Sequence, residues 1–323
     1  MNTKDRSLAY LKAEKGSYVS GEALSRRIGI TRSAIWKNIS KLREEGYAIE
    51  SSPRKGYLLS RVSEMLLPVE IREGLATEVF GRGDIIHFTE TDSTNARAKE
   101  LAINGAPEGT LIVSEKQTAG RGRKGRTWFS PSGAGIYTSL ILRPEMPPSE
   151  APRITFVTAV SAAETLLHLT PLEARIKWPN DILVRGKKIA GILTEISTEM
   201  DAIDYVVVGL GMNVNIPHFP DEITDTATSI LIETGEPFSR VNIVREYLRR
   251  QEEYCRMLRV SGFKPILTRW KELANIVGRQ IKVEMIDRTH IGEVEDIDQE
   301  GVLILKDREG TSHRIFSGDV TFM

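Results

Sequence analysis

Apolar residues recur at helical spacing near the start of the chain, at Ile35, Ile39 and Leu42. These positions, i, i+4 and i+7, predict a helix with one face toward a core, and a shorter helix is predicted before it over residues 20–28. Two strand-like segments joined by a basic tip then follow. This order of two helices and a hairpin predicts a winged helix-turn-helix domain over residues 1–63.

Strand-like and helix-like patterns alternate through residues 70–272, after a linker that contains Pro68. Short turns separate several of the strands, which indicates antiparallel pairing and argues against a regular βαβ array. Residues 281–323 alternate apolar and polar positions and predict a small all-β module of about five strands. The predicted strands of the middle region are 85–89, 110–114, 135–142, 175–184, 189–197 and 204–215, and its helices are 94–104, 151–167, 241–259 and 263–276.

Charge is unevenly distributed along a chain whose formal net charge is zero. Residues 1–61 hold 13 Lys and Arg against 6 Asp and Glu, a net of +7, so the remainder carries −7. A basic front end on a balanced chain indicates a polyanion partner for that end alone. The alternative is a solvated basic surface without a partner.

Bulk composition is that of a globular protein, with 323 residues, 40% hydrophobic and 27% charged. Cys255 is the single cysteine, which excludes an intrachain disulfide and fits a reducing compartment. The first residues lead into no apolar segment of the secretory type, and no apolar run is long enough to span a bilayer. We therefore expect a cytoplasmic protein without a membrane partner.

The outer face of the second predicted helix has the composition of a DNA-reading surface. Cationic and hydroxyl side chains suit phosphate and base-edge contacts, and the basic hairpin tip would meet phosphates. The alternative is a helix-turn-helix used only for protein contacts. The candidate DNA-binding residues are Arg32, Ser33, Trp36, Lys37, Arg54 and Lys55.

An Arg-rich loop, Gly120-Arg-Gly-Arg-Lys-Gly-Arg126, carries four cations and is followed closely by Trp128. Its glycines match both the G-x-G-x-x-G and the Walker spacing. Neither assignment fits, because the following Phe-Ser-Pro-Ser-Gly cannot open a helix. The remaining interpretation is an anion clamp for phosphate or carboxylate that becomes ordered when an anion binds.

Two further segments offer groups that complement this loop. Ser93-Thr94-Asn95 stands at a strand-to-helix turn and can bind a neutral polar ligand, although most such segments are only caps. Lys177-Trp-Pro-Asn180-Asp181 offers an amide and a carboxylate, and Lys188 adds a cation at the start of an apolar strand. A lone lysine in a hairpin is more often a surface charge. Its occurrence together with the Arg-rich loop favours a ligand-binding site instead.

Taken together, these motifs resemble those of the bifunctional biotin–protein ligases that also repress biotin operons. The resemblance covers essentially the whole length and implies an α+β multidomain fold. Its three domains would be a winged helix-turn-helix (1–63), a catalytic domain of the biotin/lipoate ligase type with a mixed sheet (68–274) and a C-terminal SH3-like β module (277–323). It implies that biotin binds Ser93, Thr94, Asn95, Gln117, Arg121, Gly122, Arg123 and Lys188, and that the nucleotide contacts Arg123, Trp128, Asn180, Lys188 and Asn213. By the same resemblance, residues 217–236 would correspond to a segment that folds over adenine.

The same resemblance implies the activity. Biotin and ATP with Mg²⁺ would give biotinyl-5′-AMP, and the biotin would pass to a lysine of biotin carboxyl carrier protein, such as the acetyl-CoA carboxylase carrier domain, or of other biotin-dependent carboxylases. Lys188, Arg121, Arg123 and Asp181 would be the catalytic residues, with no resident metal site. An adenylate-bound homodimer would bind operator DNA of biotin-related genes.

Three alternatives remain open from the sequence. A transcription regulator could use the central domain only to sense a ligand, but the lysine and the Arg-rich loop favour an enzyme. A lipoate ligase shares the catalytic fold, but the Arg-Gly-Arg loop and the winged helix argue against it. A biotin ligase whose winged helix no longer binds DNA is compatible with everything above.

Overall fold

The first 70 residues form three helices and an antiparallel hairpin in the computed structural model, which describes residues 2–14, 16–199, 201–285 and 287–323. Ser20 and Thr31 cap the second and third helices, because each hydroxyl accepts a hydrogen bond from a backbone N–H three residues on. Gly29 ends the second helix at φ = 78°, a conformation that favours glycine. The elements are α1 (Thr3–Ala13), α2 (Gly21–Ile28), α3 (Arg32–Glu44), β1 (Ala48–Ser52) and β2 (Gly56–Arg61).

The core of this unit lies along one face of α3. Ile35, Ile39 and Leu42 are fully buried and pack with Leu8 of α1 and Leu24 of α2. The face predicted from the i, i+4, i+7 spacing is therefore the buried face, and the predicted helix-turn-helix is confirmed.

A seven-stranded mixed sheet is the centre of the second unit, residues 71–323, in the order β3-β4-β5-β9-β8-β7-β6. Only the β3–β4 pair of this sheet is parallel, which agrees with the predicted antiparallel pairing of the closely spaced strands. Its strands are β3 (Ile85–Phe88), β4 (Leu111–Ser114), β5 (Gly135–Leu142), β6 (Arg175–Lys177), β7 (Asp181–Val184), β8 (Lys187–Glu199) and β9 (Ala202–Asn213).

Helices cover this sheet and supply much of its core. Ala98 of α5 packs on Ile112, Ile141 and Val207 of the sheet, while α6 packs against β8 and against α8 and α9. The helices are α4 (Pro68–Arg72), which spans the boundary between the two units, α5 (Thr94–Ile103), α6 (Arg153–Leu169), α7 (Ile230–Thr234), α8 (Arg240–Ser261) and α9 (Lys264–Ala274). None of the helices in the described residues is both long and apolar enough to cross a membrane.

One strand prediction is wrong in detail. Residues 175–184 form two strands, β6 and β7, rather than one. The turn between them contains Pro179, which has no N–H to donate to a sheet ladder. The interruption places Asn180 in the turn and Asp181 at the start of β7, rather than both inside a long strand, which matters for the site.

The C-terminal residues form a separate five-stranded antiparallel sheet in the order β13-β12-β11-β10-β14. Its strands are β10 (Gln280–Glu284), β11 (Thr289–Ile297), β12 (Leu303–Lys306), β13 (Ser312–Ile315) and β14 (Asp319–Phe322). The prediction of about five short strands is confirmed. The lone cysteine, Cys255, is a free thiol in α8 that accepts a hydrogen bond from Gln251 Nε2 at 3.7 Å, and burial raises the pKa of this thiol to about 12, which disfavours the thiolate form.

Candidate active site

A cavity of about 480 Å³ opens beside strands β5, β7, β8 and β9 of the large sheet. Every small-molecule site residue predicted from the sequence lines it, although those residues come from five separate stretches of the chain. They are Ser93, Thr94, Asn95, Gln117, Arg121, Gly122, Arg123, Trp128, Asn180, Asp181, Lys188 and Asn213. Their convergence makes this cavity the candidate active site, and the role of each residue remains a prediction.

One end of the cavity is neutral and polar. Thr94 and Asn95 begin α5 and are almost fully buried, and the Thr94 backbone N–H donates to Gln117 Oε1 at 2.9 Å. The other end of the Gln117 amide donates to Ser130 Oγ at 3.1 Å, which fixes its orientation. Ser93 occupies the N-cap position of α5 as predicted, but its side chain makes no capping hydrogen bond. This end therefore offers oriented neutral donors and acceptors rather than charge.

The Arg-rich loop folds back on itself over the cavity. The Gly122 N–H donates to the carbonyl of Arg126 at 2.7 Å, and a short 3₁₀ turn occupies Arg123–Gly125. This turn is not followed by an α-helix, in agreement with the exclusion of a P-loop. Arg123 donates to Asn180 Oδ1 at 3.0 Å, and burial lowers the pKa of its guanidinium despite the opposing charges of Asp319 and Asp181. A desolvated cation of this kind binds an anion strongly.

The C-terminal β module contributes a carboxylate that the sequence did not predict. Asp319, at the start of β14, lines the cavity and forms ion pairs with Lys124 and Arg126. Burial raises the pKa of this carboxyl, but the hydrogen bond and charge of Lys124 and the charge of Arg126 outweigh that effect and hold it below its usual value. Two of the loop's four cations are thus engaged by Asp319, which leaves Arg121 and Arg123 for a ligand.

Lys188 and Asp181 form the charged centre of the cavity. They lie on the adjacent antiparallel strands β8 and β7, where an irregularity shifts the register next to Leu183. Lys188 Nζ is 2.7 Å from Asp181 Oδ1, and the two side chains are about one-third and one-fifth exposed. Both charged groups therefore face the same part of the cavity.

Two glycines allow Trp128 to lie against this centre. A Cβ on Gly211 would come within 2.5 Å of the Trp128 indole, and one on Gly191 would come within 2.9 Å of Lys188 Cε. The Lys188 ammonium lies 5.2 Å from the centroid of the indole ring, within cation–π range. The indole N–H is buried without a hydrogen-bond partner in the described residues, which is a donor available to a ligand.

Part of the segment 217–236 also reaches the cavity. The Lys188 N–H donates to the carbonyl of Thr226 at 2.7 Å, and the Thr228 N–H donates to the carbonyl of Lys188 at 2.9 Å. The Asn213 amide donates to the carbonyl of Thr228 at 2.9 Å, so in this structure it holds the segment in place. The residues of this segment that line the cavity, none of them named by the sequence prediction, are Phe219, Ile223, Asp225, Thr226 and Ala227.

The predicted DNA-binding residues all lie on the surface of the first unit. The α3 face exposes Trp36 to 59% of its area, beside Arg32, which is paired with Glu22. The turn between β1 and β2 presents the basic tip, where Lys55 lies over the Tyr18 ring. The exposed residues are Arg32, Ser33, Trp36, Lys37, Arg54 and Lys55. A large apolar side chain such as Trp36, exposed between Arg32 and Lys37, is typical of a surface that contacts a partner.

No group of three or more His, Cys, Asp or Glu side chains that could hold a metal ion occurs among the described residues. The cavity itself contributes Asp181, Asp225 and Asp319 as carboxylates. Two of these, Asp181 and Asp319, are already paired with cations of the site.

Comparison with known proteins gives three family models that follow one another along the chain. A model described as HTH domain matches residues 4–58, the Biotin/lipoate A/B protein ligase family matches residues 87–213, and the Biotin protein ligase C terminal domain matches residues 276–323. The three matches follow the order predicted from the sequence.

Relatives match over nearly the full length. The bifunctional ligase/repressor BirA of Bacillus spizizenii is 42% identical over 322 residues, covering 99% of this chain and 98% of the relative. The protein of the same name from Escherichia coli K12 is 32% identical over 308 residues, covering 94% and 93%. Among solved structures, the biotin protein ligase from Aquifex aeolicus in complex with biotin and ATP is 30% identical, with a TM-score of 0.65, and covers 75% of this chain and 99% of its own.

Proposed function

The chain belongs to the bifunctional ligase/repressor family of biotin–protein ligases, and we propose how its cavity carries out the two half-reactions of that activity. It is an ATP-dependent biotin–protein ligase that also carries a helix-turn-helix repressor domain. One observation supports the site assignment above all others. The Lys188–Asp181 pair, the Arg-rich loop and the neutral end at Thr94 line a single cavity.

In the first half-reaction we assign biotin's bicyclic head to the neutral end and its carboxylate to Lys188. A carboxylate oxygen attacks the α-phosphorus of ATP, an O–P bond forms, and the bond to the bridging oxygen of pyrophosphate breaks. The obstacle is the approach of one anion to another. Arg121, Arg123 and Lys188 offset this repulsion, and each charge-assisted hydrogen bond contributes about 1.5–3 kcal/mol. Two or three of them lower the barrier enough for a gain of about 10³-fold or more.

The divalent cation enters as part of the Mg·ATP substrate rather than as a resident metal. It neutralises the polyphosphate and assists departure of pyrophosphate. Carboxylate oxygens are ligands that suit Mg²⁺, and Asp225, within the segment 217–236, lines the cavity. The indole of Trp128 and the amide of Asn180 are the proposed nucleotide contacts, whereas Asn213 acts on the nucleotide through the segment that it holds.

In the second half-reaction a lysine of the carrier protein attacks the carbonyl carbon of biotinyl-5′-AMP. An amide bond forms and AMP leaves with the electron pair of the broken C–O bond. The attacking amine must be neutral, so it has to lose a proton. Once Lys188 binds the substrate anions, Asp181 is released from its 2.7 Å ion pair and can accept that proton.

The regulatory part of the proposal couples formation of the adenylate to DNA binding. Two operator half-sites require two copies of the helix-turn-helix, so we propose that the adenylate-bound protein is a homodimer. Differential affinity of the adenylate for the ordered loop would shift the population toward the dimer. Operator DNA of biotin-related genes and biotin carboxyl carrier proteins, including that of acetyl-CoA carboxylase, are the proposed partners. We propose a cytoplasmic location, because ATP, the carrier proteins and operator DNA would all meet the protein there.

We also propose the domain boundaries 1–63, 68–274 and 277–323. The linker 64–67 lies between the matched HTH and ligase regions, and the last boundary lies between α9 and the five-stranded sheet, next to residue 276, where the matched C-terminal domain begins. Expression of residues 1–63 as a folded fragment that gives dispersed amide resonances would support the first boundary. A fragment that is unfolded in solution would contradict it.

The ligase assignment is tested by incubating the protein with biotin, ATP and Mg²⁺, detecting biotinyl-5′-AMP, and then adding an apo biotin carrier domain. The expected result is stoichiometric pyrophosphate followed by one biotin per carrier. A carrier whose acceptor lysine is replaced by Arg is the matched control, and lipoate replaces biotin in a parallel reaction. Equal or faster use of lipoate would contradict the assignment.

The repressor coupling is tested with an operator fragment from a biotin-related gene. DNA footprinting and sedimentation are run with and without biotin plus ATP. The account predicts that biotin plus ATP produce both dimerisation and a two-half-site footprint. A footprint that does not change when biotin and ATP are added would refute the coupling.

A further inference from the structure

Glu195 lies on β8 outside the lining of the cavity, yet it contacts a residue that lines it. Its Oε2 accepts a hydrogen bond from Asn95 Nδ2 at 2.8 Å, and its Oε1 pairs with Lys99 Nζ at 2.8 Å. The same Asn95 nitrogen lies 3.2 Å from the carbonyl oxygen of Leu193. A charged side chain thus reaches the buried neutral end of the cavity from outside it.

These contacts fix the direction of the Asn95 amide. A carboxylate and a carbonyl can only accept hydrogen bonds, so the NH₂ group of Asn95 must face Glu195 and Leu193. Asn95 Oδ1 then points the opposite way, toward Ser139, whose Oγ is 2.6 Å distant. The amide cannot move away from this position easily, because Asn95 packs directly on Gly209, where a Cβ would lie 2.2 Å from Oδ1.

The direction of Asn95 in turn sets the hydroxyl protons. Ser139 has one proton and must donate it to Asn95 Oδ1, which is an acceptor only. Ser139 Oγ also lies 2.8 Å from Thr94 Oγ1, so the proton in that contact comes from Thr94. Gln117 Oε1 accepts from the Thr94 backbone N–H at 2.9 Å and lies farther from the Thr94 hydroxyl, at 3.2 Å, so the 2.8 Å contact with Ser139 is the shorter of the two that can take the hydroxyl proton. The Thr94 hydroxyl is left with lone pairs and no proton for a ligand.

Burial keeps this order intact. Thr94, Asn95 and Ser139 are 4%, 5% and 0% exposed, so bulk water does not compete for their hydrogen bonds. In a buried network each bond polarises the next, and an unsatisfied group is costly. The chain Glu195–Asn95–Ser139–Thr94 therefore has one low-energy arrangement of protons, set at its outer end by the 2.8 Å bond to the Glu195 carboxylate and the longer 3.2 Å bond to the Leu193 carbonyl.

We infer that Glu195 is a positioning residue for substrate selection, because it makes the Thr94 hydroxyl an obligatory acceptor at the neutral end of the cavity. This end selects a ligand that presents an N–H donor, which the ureido ring of biotin does and the dithiolane ring of lipoate does not. The inference rests on the proposed placement of the biotin head beside Thr94.

The test compares biotin with its cyclic carbonate analogue, in which oxygen atoms replace both ureido N–H groups without changing the ring size. Adenylate formation is measured with each substrate for the full-length wild type, Glu195→Leu and Glu195→Gln. In Glu195→Leu the KM for biotin should rise about tenfold, the loss expected for one well-placed hydrogen bond. The KM for ATP should stay within about twofold, and the KM for the carbonate should not rise.

Two further variants separate this role from general support of the fold. Glu195→Gln keeps an acceptor oxygen for Asn95 and should restore the preference for biotin, while Lys99→Met removes only the partly exposed ion pair and should change neither KM by more than about twofold. If Glu195→Leu does not fold, Ser139→Ala breaks the same chain from its other side. It leaves the Thr94 proton only the longer contact with Gln117 Oε1, at 3.2 Å, and should reduce the preference for biotin over the carbonate.

The outcomes are distinct. If the wild type forms no adenylate from biotin, the proposed function itself fails. If the wild type is active and Glu195→Leu, or Ser139→Ala in its place, raises the KM for biotin and for the carbonate by the same factor, Glu195 only supports the local fold and the inference is overturned. If neither KM changes, the chain does not set the polarity of Thr94 and the inference is equally overturned.

Discussion

Replacement of Lys188 by Met probes the charged centre with little change of shape. Methionine keeps most of the aliphatic stem that lies beside Trp128 and removes the ammonium group. The strand should persist, because the bonds from Lys188 to Thr226 and Thr228 use only the backbone. Asp181 keeps access to solvent, at 22% side-chain exposure, so its carboxylate is not stranded in a dry core.

The expected effects differ greatly between stability and catalysis. Loss of a partly exposed ion pair and of a cation–π contact costs about 1–2 kcal/mol of unfolding free energy. In the adenylation step Lys188 is assigned one bond to the biotin carboxylate and one to a phosphate oxygen. At about 1.5–3 kcal/mol each, their loss amounts to about 3–6 kcal/mol, and adenylate formation should slow by about 10²- to 10⁴-fold.

The assay is pyrophosphate release at saturating biotin and ATP, with thermal unfolding measured in parallel. Lys187→Met is the matched control, because the neighbouring lysine lies outside the cavity lining and donates to the carbonyl of Thr224 at 3.1 Å. It should retain activity within about threefold. Pyrophosphate release by a folded Lys188→Met protein at the wild-type rate would refute the role assigned to this lysine.

Three other predictions follow from the same structure. Limited proteolysis should cut residues 119–127 in the free protein and spare them with biotin plus ATP, and Asp319→Ala should accelerate the cut in the free protein; equal cleavage in all samples would count against an ordering loop. Asp181→Asn should form adenylate but transfer biotin from preformed adenylate about 10²-fold more slowly in a rapid-quench experiment, and transfer at the wild-type rate would exclude a proton-accepting role. Trp36→Ala should weaken operator binding by about tenfold or more in a titration while ligase activity stays unchanged, and unaltered binding would remove α3 from the DNA interface.

Local sequence patterns were sufficient where the chemistry is local. The spacing of Ile35, Ile39 and Leu42 gave the buried face of α3, and the absence of a helix former after the Arg-rich loop correctly excluded a P-loop. Asp181 and Lys188 lie close together for a local reason, because a short turn joins their antiparallel strands and brings residues close in sequence close in space.

Contacts between distant parts of the chain could not be predicted in this way. Asp319 meets the loop from nearly two hundred residues away, and no periodicity or motif marks it as a site residue. The contact of Glu195 could not be predicted for the same reason, since its partner Asn95 lies on another element, far away in the sequence. A signal was present for the cavity floor, where Gly209 and Gly211 alternate on β9 and leave room for side chains above the strand. The split of 175–184 was also readable, because Pro179 cannot sit inside a central strand.

The central claim is that this cavity activates the biotin carboxylate as a mixed anhydride with AMP. It is tested most directly with biotin labelled with ¹⁸O in both carboxylate oxygens, ATP, Mg²⁺ and an apo carrier domain, followed by mass spectrometry of the products. Because a carboxylate oxygen attacks the α-phosphorus, the account predicts AMP that carries one ¹⁸O atom and pyrophosphate that carries none. Unlabelled AMP, or label in ADP, phosphate or pyrophosphate, would contradict it.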